Sequence, residues 1–244
     1  MTAIEDNILT QNFEKVGREM IQKFGRPGAV LSISAHWFSW GQFVQTEEEP
    51  RQIYDMTGFP EELYRVKYPI KGDSSLGERV VDLLGPDHVS VNNKWGIDHG
   101  SWSVLCHMFP QAEIPVVQLS VDGRAKPEEV YAIGERLRPL REEGILLLGS
   151  GNIVHNLREA SWEDQEASPE TLDFDRFIVD HVRQRDDSAI LAYEGQESAS
   201  YAVPTPDHFY PLLYILGASQ GDTVTVFNRA SQLRAISMSS FLFG

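Results

Sequence analysis

The chain has 244 residues, a hydrophobic fraction of 41% and a formal net charge of −15 at pH 7. A nucleic-acid-binding protein needs a basic face, so this charge argues against that class. The length favours a single α/β domain over residues 1–244. No apolar run reaches the roughly 20 residues of a membrane span, and no signal peptide is visible at the start. Together with the single cysteine, Cys106, these features predict a cytoplasmic protein.

The first predicted strand follows a helix that Thr10 caps and Gly25 ends. The strand lies in the stretch Ala29–Trp37, where Val30, Leu31 and Ile33 are apolar, and it is predicted to end at His36. Ligands in open α/β sheets bind outside the carboxyl ends of the strands. We therefore expect His36 to bind a metal ion or to move a proton, although a buried structural histidine is the alternative.

The stretch 39–73 has many aromatic residues and no clear periodicity. A long irregular segment within one domain often forms a pocket wall or a lid, and a hydrophobic cluster under a surface loop is the other interpretation. A helix up to Leu84 and a short strand, 88–91, are predicted next.

Asp98 and His99 lie in a segment that two glycines interrupt, just before a helix predicted over Trp102–Phe109. Ser101 is the expected N-cap of that helix, which leaves His99 in the preceding loop. We expect the Asp98 carboxylate to orient the His99 ring, as carboxylates often do for functional histidines.

The third histidine of interest, His155, follows the predicted strand Ile145–Leu148 and the sequence Gly-Ser-Gly-Asn-Ile-Val. A dinucleotide-binding loop is one interpretation of a strand followed by Gly-x-Gly. However, Val154 occupies the position of the third small residue and is too bulky for close helix–strand packing. We therefore interpret the glycines as a sharp turn that presents His155 at the end of the sheet.

The fourth histidine, His208, is predicted to lie in the first turn of a helix that Thr205 caps. The positive end of the helix dipole would there disfavour the charged ring and keep it available to a metal ion. Strands predicted over 223–227 and 233–242 close the chain. The fold class is α/β, with a mostly parallel central sheet, helices on both of its faces and antiparallel edge strands.

Each of these four histidines lies where an element begins or ends, and none belongs to a local metal motif such as His-x-x-x-His. Spacing alone leaves open whether they converge. If they do, imidazole together with oxygen ligands suits Fe(II), Zn(II) or Mn(II).

Several short motifs resemble the class III extradiol ring-cleavage dioxygenases, in particular the branch similar to DOPA 4,5-dioxygenase. They are Ala-His-Trp at 35–37, Gly-Phe-Pro at 58–60, Tyr-Pro with Gly-Asp at 68–73, Asp-His-Gly-Ser-Trp at 98–102, Gly-Ser-Gly-Asn-Ile-Val-His-Asn at 149–156 and Pro-Thr-Pro-Asp-His at 204–208. The resemblance implies a mononuclear non-haem Fe(II) site and a catechol substrate that is cleaved with O₂. The ligand chemistry of imidazole adds Zn(II) as an alternative occupant of the site. The resemblance also implies roles for the histidines: His36 and His208 as metal ligands, His155 as the acid–base residue and His99 as a donor to bound substrate or oxygen.

One motif of the family is missing. A Gly-His-Gly-Ser-Pro turn that supplies a further metal ligand is expected just before Met1, so the given start is expected to be too late. Two alternatives stay open at this point: a zinc hydrolase that uses the same histidines to activate water, and a catalytically impaired relative that binds small aromatic molecules.

Overall fold

The computed structural model describes Ile4, residues 6–164 and residues 166–244. The backbone forms two units. The first, here called the sheet unit, comprises Met1–Arg124 and Arg136–Ser150, and the second, the C-terminal unit, comprises Ala125–Glu135 and Gly151–Gly244. The single domain over 1–244 stays a prediction. Met1, where the missing turn is expected to end, lies outside the described residues.

A five-stranded sheet with the order β3-β2-β4-β1-β5 forms the centre of the sheet unit. Its strands are β1 (Ala29–Ser39), β2 (Gln42–Val44), β3 (Val89–Val91), β4 (Val116–Asp122) and β5 (Ile145–Ser150). Strand β1 pairs in parallel with both β4 and β5, and β2 pairs in parallel with β3 but antiparallel with β4. The predicted α/β fold with a mostly parallel sheet is confirmed. Val30, Leu31 and Ile33 of β1 are fully buried, as expected for a central strand.

The helices alternate with these strands and then dominate the C-terminal unit. They are α1 (Ile8–Phe24), α2 (Ser74–Leu84), α3 (His99–Met108), α4 (Pro127–Leu137), α5 (Pro139–Glu142), α6 (Pro169–Gln184), α7 (Asp187–Leu191), α8 (Ala199–Ala202) and α9 (Tyr210–Ala218). The predicted cap of α1 is wrong by three residues, because Asn7 accepts hydrogen bonds from the Leu9 and Thr10 amides. Thr10 completes this cap by accepting a hydrogen bond from the Asn7 amide. Among the described residues, no helix is long and apolar enough to cross a membrane.

The last strands lie in the C-terminal unit and pair with one another. Strand β6 (Val224–Phe227) pairs antiparallel with β9 (Ser240–Phe243), and β7 (Ser231–Gln232) pairs antiparallel with β8 (Ile236–Ser237). They form two separate two-stranded sheets, so the prediction that they extend the edge of the central sheet is wrong. The continuous strand predicted over 233–242 is broken at its start, because Leu233 and Arg234 have φ values of 49° and 68°.

Candidate active site

His36 lies inside β1, at an irregularity of that strand. The pairing of β1 with β4 shifts register between Ile33 and Phe38, and β1 continues to Ser39. The prediction that the strand ends at His36 is therefore wrong, because β1 continues past it through an irregular stretch between Ile33 and Phe38. Irregularities such as bulges commonly redirect side chains beside functional sites. The His36 side chain keeps 24% of its surface exposed, so it stays accessible to a ligand.

His99 is the first residue of α3, not part of the loop before it. Asp98 is the N-cap, because its carboxylate accepts a hydrogen bond from the Ser101 amide at 3.1 Å. Asp and Ser are equally good N-cap residues, and in this helix the earlier of the two candidates, Asp98, is the cap. The helix therefore begins three residues earlier than predicted, and its first turn places the His99 ring beside β1.

Asp55 brings these two histidines together. Its Oδ2 lies 3.0 Å from His36 Nδ1, and its Oδ1 lies 3.0 Å from His99 Nδ1 and accepts a 2.8 Å hydrogen bond from the His99 amide. The two imidazole rings are 4.0 Å apart between centroids, edge to face. Sequence reasoning missed Asp55, which lies in the irregular stretch 39–73 without a recognisable motif. The one sequence feature that indicated a role for Asp55 was the expectation that this stretch forms a pocket wall.

The chemistry of this group fits a divalent metal ion. Among the described residues, His36, Asp55 and His99 form the group of three metal-ligating side chains whose donor atoms lie within 4.8 Å of one another. Asp55 Oδ2 and His99 Nδ1 are buried and lack a partner with hydrogen-bond geometry, although both lie close to another polar atom. Two imidazoles and one carboxylate are a donor set typical of non-haem Fe(II) centres.

The ionisation state of Asp55 also suits the binding of a divalent metal ion. Burial by itself would raise the pKa of the Asp55 carboxyl, but the adjoining His36 and His99 rings and the His99 amide outweigh burial. Together they hold the pKa of this carboxyl well below its usual range. Asp55 is consequently ionised at neutral pH and contributes a negative charge to the group.

Asp98 anchors the start of α3 and is fully buried. Its carboxylate accepts hydrogen bonds from Ser34 Oγ at 2.8 Å and Trp95 Nε1 at 3.2 Å, and it also contacts the Gln118 amide. The carboxylate at the His99 ring is that of Asp55, so the expected orientation of His99 by Asp98 is corrected. Asp98 acts on His99 through the backbone, because it ties the N-terminus of α3 to β1 and β4.

His155 and His208 lie together in the C-terminal unit. Their rings are stacked with centroids 3.5 Å apart and planes inclined by only 6°. His155 follows β5 and donates its backbone N–H to the Ala202 carbonyl at 3.0 Å. A Cβ on Gly151 would lie 2.2 Å from the His208 carbonyl oxygen, so only glycine permits this close approach. Gly151, the residue after β5, thus permits close backbone packing beside the histidine pair.

The predicted placement of His208 inside a helix is wrong. Helix α9 begins at Tyr210, and His208 lies in the turn that precedes it. Thr205 does not cap this helix but donates its hydroxyl hydrogen to Asp207 Oδ1 at 2.7 Å. The helix-dipole argument for a neutral His208 therefore does not hold, and the ring is held by Asn152, whose Oδ1 lies 3.2 Å from His208 Nδ1.

Comparison with known proteins finds relatives that align with the whole chain. Residues 3–244 match the family model described as the catalytic LigB subunit of aromatic ring-opening dioxygenase. The chain is 38% identical to "4,5-DOPA dioxygenase extradiol" of Escherichia coli K12, covering 100% of this chain and 91% of that protein. It is 35% identical to the protein of the same name from Beta vulgaris, covering 90% and 83%.

A solved structure shares the fold as well. The crystal structure of an uncharacterized protein from Escherichia coli K12 superposes with a TM-score of 0.85 at 35% identity, covering 99% of this chain and 94% of that one. The family match, the full-length identities and this superposition all lead to the same assignment. The chain belongs to the LigB family of class III extradiol ring-opening dioxygenases, in its DOPA 4,5-dioxygenase-like branch.

Proposed function

We propose that this chain cleaves the aromatic ring of a catechol with O₂, next to the two hydroxyl groups, and that its substrate is DOPA or a catechol with a similar side chain. The family supports ring opening. The relatives from Escherichia coli and Beta vulgaris, both named for DOPA, support the substrate. The single observation that carries the proposal is the His36–Asp55–His99 group, whose donors suit a non-haem metal ion.

Fe(II) is the proposed metal, with Zn(II) as a possible occupant of the same residues. A bound Fe(II) ion supplies the redox chemistry that ring opening by O₂ requires. His36 is proposed as a ligand on two grounds, since it belongs to the His36–Asp55–His99 group and also to the motif that resembles the family. Asp55 and His99 are the further candidates by geometry, and His208 is the further candidate by resemblance.

The chain must also move protons. A base must remove a hydroxyl proton from the catechol to activate its ring. An acid must then assist cleavage of the O–O bond that derives from O₂. His155 is proposed to exchange this proton, because a histidine titrates close to neutral pH. His99, buried beside the ionised Asp55, is proposed to donate a hydrogen bond to the substrate or to oxygen if it does not bind the metal.

Isotope labelling tests the reaction directly. The protein is purified without oxygen, loaded with Fe(II) and mixed with DOPA under ¹⁸O₂. We expect O₂ uptake and a ring-opened product that contains both ¹⁸O atoms. Tyrosine, which lacks the second hydroxyl, is the matched control and should give neither. Oxygen uptake without ¹⁸O in the product would contradict ring cleavage, and cleavage of simple catechols in strong preference to DOPA would contradict the substrate.

Metal content identifies the ligands. Each of four variants, H36A, D55N, H99A and H208A, is loaded with metal, passed through gel filtration and measured by elemental analysis. H36A should lose the metal. Loss in D55N and H99A with retention in H208A supports the geometric set, and the reverse pattern supports His208. Full retention in H36A would refute the proposed metal site.

A further inference from the structure

The side chain of Asn152 connects His208 to the backbone of the C-terminal unit. Its Nδ2 donates a 2.7 Å hydrogen bond to the Ser237 carbonyl oxygen, and its Oδ1 faces His208 Nδ1 at 3.2 Å. If the amide were rotated by 180°, its oxygen would face the Ser237 carbonyl oxygen, and two acceptors cannot share a hydrogen bond. The Ser237 carbonyl therefore sets the orientation of the amide and directs Oδ1 towards the histidine.

This orientation selects one form of the His208 ring. An amide oxygen only accepts hydrogen bonds, so the contact is a hydrogen bond only when Nδ1 carries a proton. In a neutral imidazole with the proton on Nδ1, the lone pair lies on Nε2. We propose that Asn152 is a positioning residue that holds His208 as the Nδ1-protonated tautomer and thereby presents Nε2 as a ligand or base. What Nε2 binds rests on the proposed function, whereas the tautomer is a property of the metal-free chain.

Other contacts hold the same ring in place. The Asn152 amide donates a 3.0 Å hydrogen bond to the His208 carbonyl, so the two residues are joined through both backbone and side chain. The absence of a side chain at Gly151 permits this contact. The His155 ring lies parallel to the His208 ring at 3.5 Å and restricts its rotation. Because the ring plane is fixed, Nε2 has a defined direction once Nδ1 is bonded to Asn152.

Nitrogen chemical shifts measure the tautomer without any need for activity. Metal-free protein labelled with ¹⁵N-histidine is examined by long-range ¹H–¹⁵N correlation at a pH where the rings are neutral, and H208Q identifies the His208 signals. We expect the wild type to show a protonated Nδ1 and an unprotonated Nε2. N152A should shift His208 towards a mixture of tautomers or to the Nε2-protonated form. N152D cannot donate to the Ser237 carbonyl, but both of its carboxylate oxygens accept hydrogen bonds, so an acceptor faces Nδ1 in either orientation and the wild-type pattern should be retained.

Asn156 offers a matched control. It lies in the same segment, but its side chain bonds the Tyr201 carbonyl and the Arg158 amide. N156A should therefore perturb the local fold and leave the His208 tautomer unchanged. An Nε2-protonated His208 in the wild type, or an unchanged tautomer in N152A, would overturn the proposal. If N152A does not fold, loss of the wild-type pattern in N152D would overturn it instead.

The affinity for Zn²⁺ tests whether Nε2 of His208 binds a metal ion. If Nε2 of His208 binds a metal, N152A should bind Zn²⁺ about 10–100-fold more weakly than the wild type, a typical effect for partners of metal-binding histidines. A wild type that fails to take up O₂ with DOPA would refute the proposed function, while the tautomer measured in metal-free protein would still decide the role of Asn152.

Discussion

The backbone of Gly100 lies against the ring of His36: a Cβ at Gly100 would be 2.9 Å from His36 Cδ2 and 2.7 Å from Ser34 Oγ. Cβ atoms essentially never approach other atoms so closely in folded proteins. Gly100 therefore allows the first turn of α3 to approach β1. The positions of both His36 and His99 depend on this close approach.

Gly100→Ala tests this relationship. We expect the added methyl group to displace the His36 ring, to lower metal content and to reduce the free energy of unfolding by about 1–3 kcal/mol, the usual cost of overpacking. Gly28→Ala is the control, because the nearest atom to a Cβ there is the Gly144 carbonyl oxygen at 3.9 Å. Elemental analysis and thermal unfolding measure both variants. Full metal content together with an unchanged Tm in G100A would contradict the steric argument.

Asp98→Asn tests the anchor of α3. An amide NH₂ in place of one carboxylate oxygen would face donors from Ser34, Ser101, Trp95 or Gln118, so a buried donor would lose its partner. We expect a loss of about 1–3 kcal/mol in unfolding free energy. We also expect a loss of activity through misplacement of His99, smaller than the loss in His155→Ala.

A second capping aspartate provides the comparison for this variant. Asp73 caps α2 through the Leu76 amide, and Asn is an equally good cap. D73N should therefore be nearly neutral in chemical denaturation. Equal stability of D98N and D73N would show that the buried network around Asp98 contributes little.

His155→Ala tests proton transfer. The variant should keep its metal and lose about 10²–10⁴-fold in turnover, as expected when an acid–base residue is removed. His181→Ala is the control, since His181 Nδ1 contacts the Phe177 carbonyl at 2.9 Å within α6 and is expected to be structural. Metal content and formation of ¹⁸O-labelled product are measured together. Loss of metal in H155A would make His155 a ligand instead.

Cys106 should react slowly with alkylating reagents in the folded protein. Burial raises the pKa of its thiol from 9.0 to about 11. At pH 8 the thiolate fraction then falls roughly 100-fold, and the thiolate is the reactive form. Iodoacetamide labelling followed by mass spectrometry should be about 100-fold slower in native protein than in urea-unfolded protein. Comparable rates in the two states would contradict the raised pKa.

The same shift predicts a pH dependence of stability. The folded pKa of Cys106 lies above the unfolded value, so its contribution is complete below pH 9 and is lost as the pH rises towards about 11. The unfolding free energy of wild-type protein should therefore decline more steeply over this interval than that of Cys106→Ala. Parallel curves for the two proteins would refute this linkage.

Much of the fold was predictable from local sequence, because apolar runs and capping residues act over a few neighbours. The apolar runs of β1, β4 and β5 predicted the parallel strands, although β5 lies at the edge of the sheet and is only half-buried. The short motifs around His36 and His155 identified the family. Errors arose where two local signals competed. Asp98 and Ser101 can both cap a helix, as can Asn7 and Thr10, and periodicity does not choose between them.

The partner of the histidines was decided only by the tertiary structure. Asp55 has no periodic neighbours and no motif, and it meets His99 across 44 positions of the chain. Such a contact depends on how an irregular segment packs against β1 and α3, and local propensities carry no information about that packing. The stacking of His155 on His208 and the orientation of Asn152 by Ser237 have the same origin. The sequence by itself determined which residue types are available for the chemistry, and the packing of distant segments decided which atoms meet.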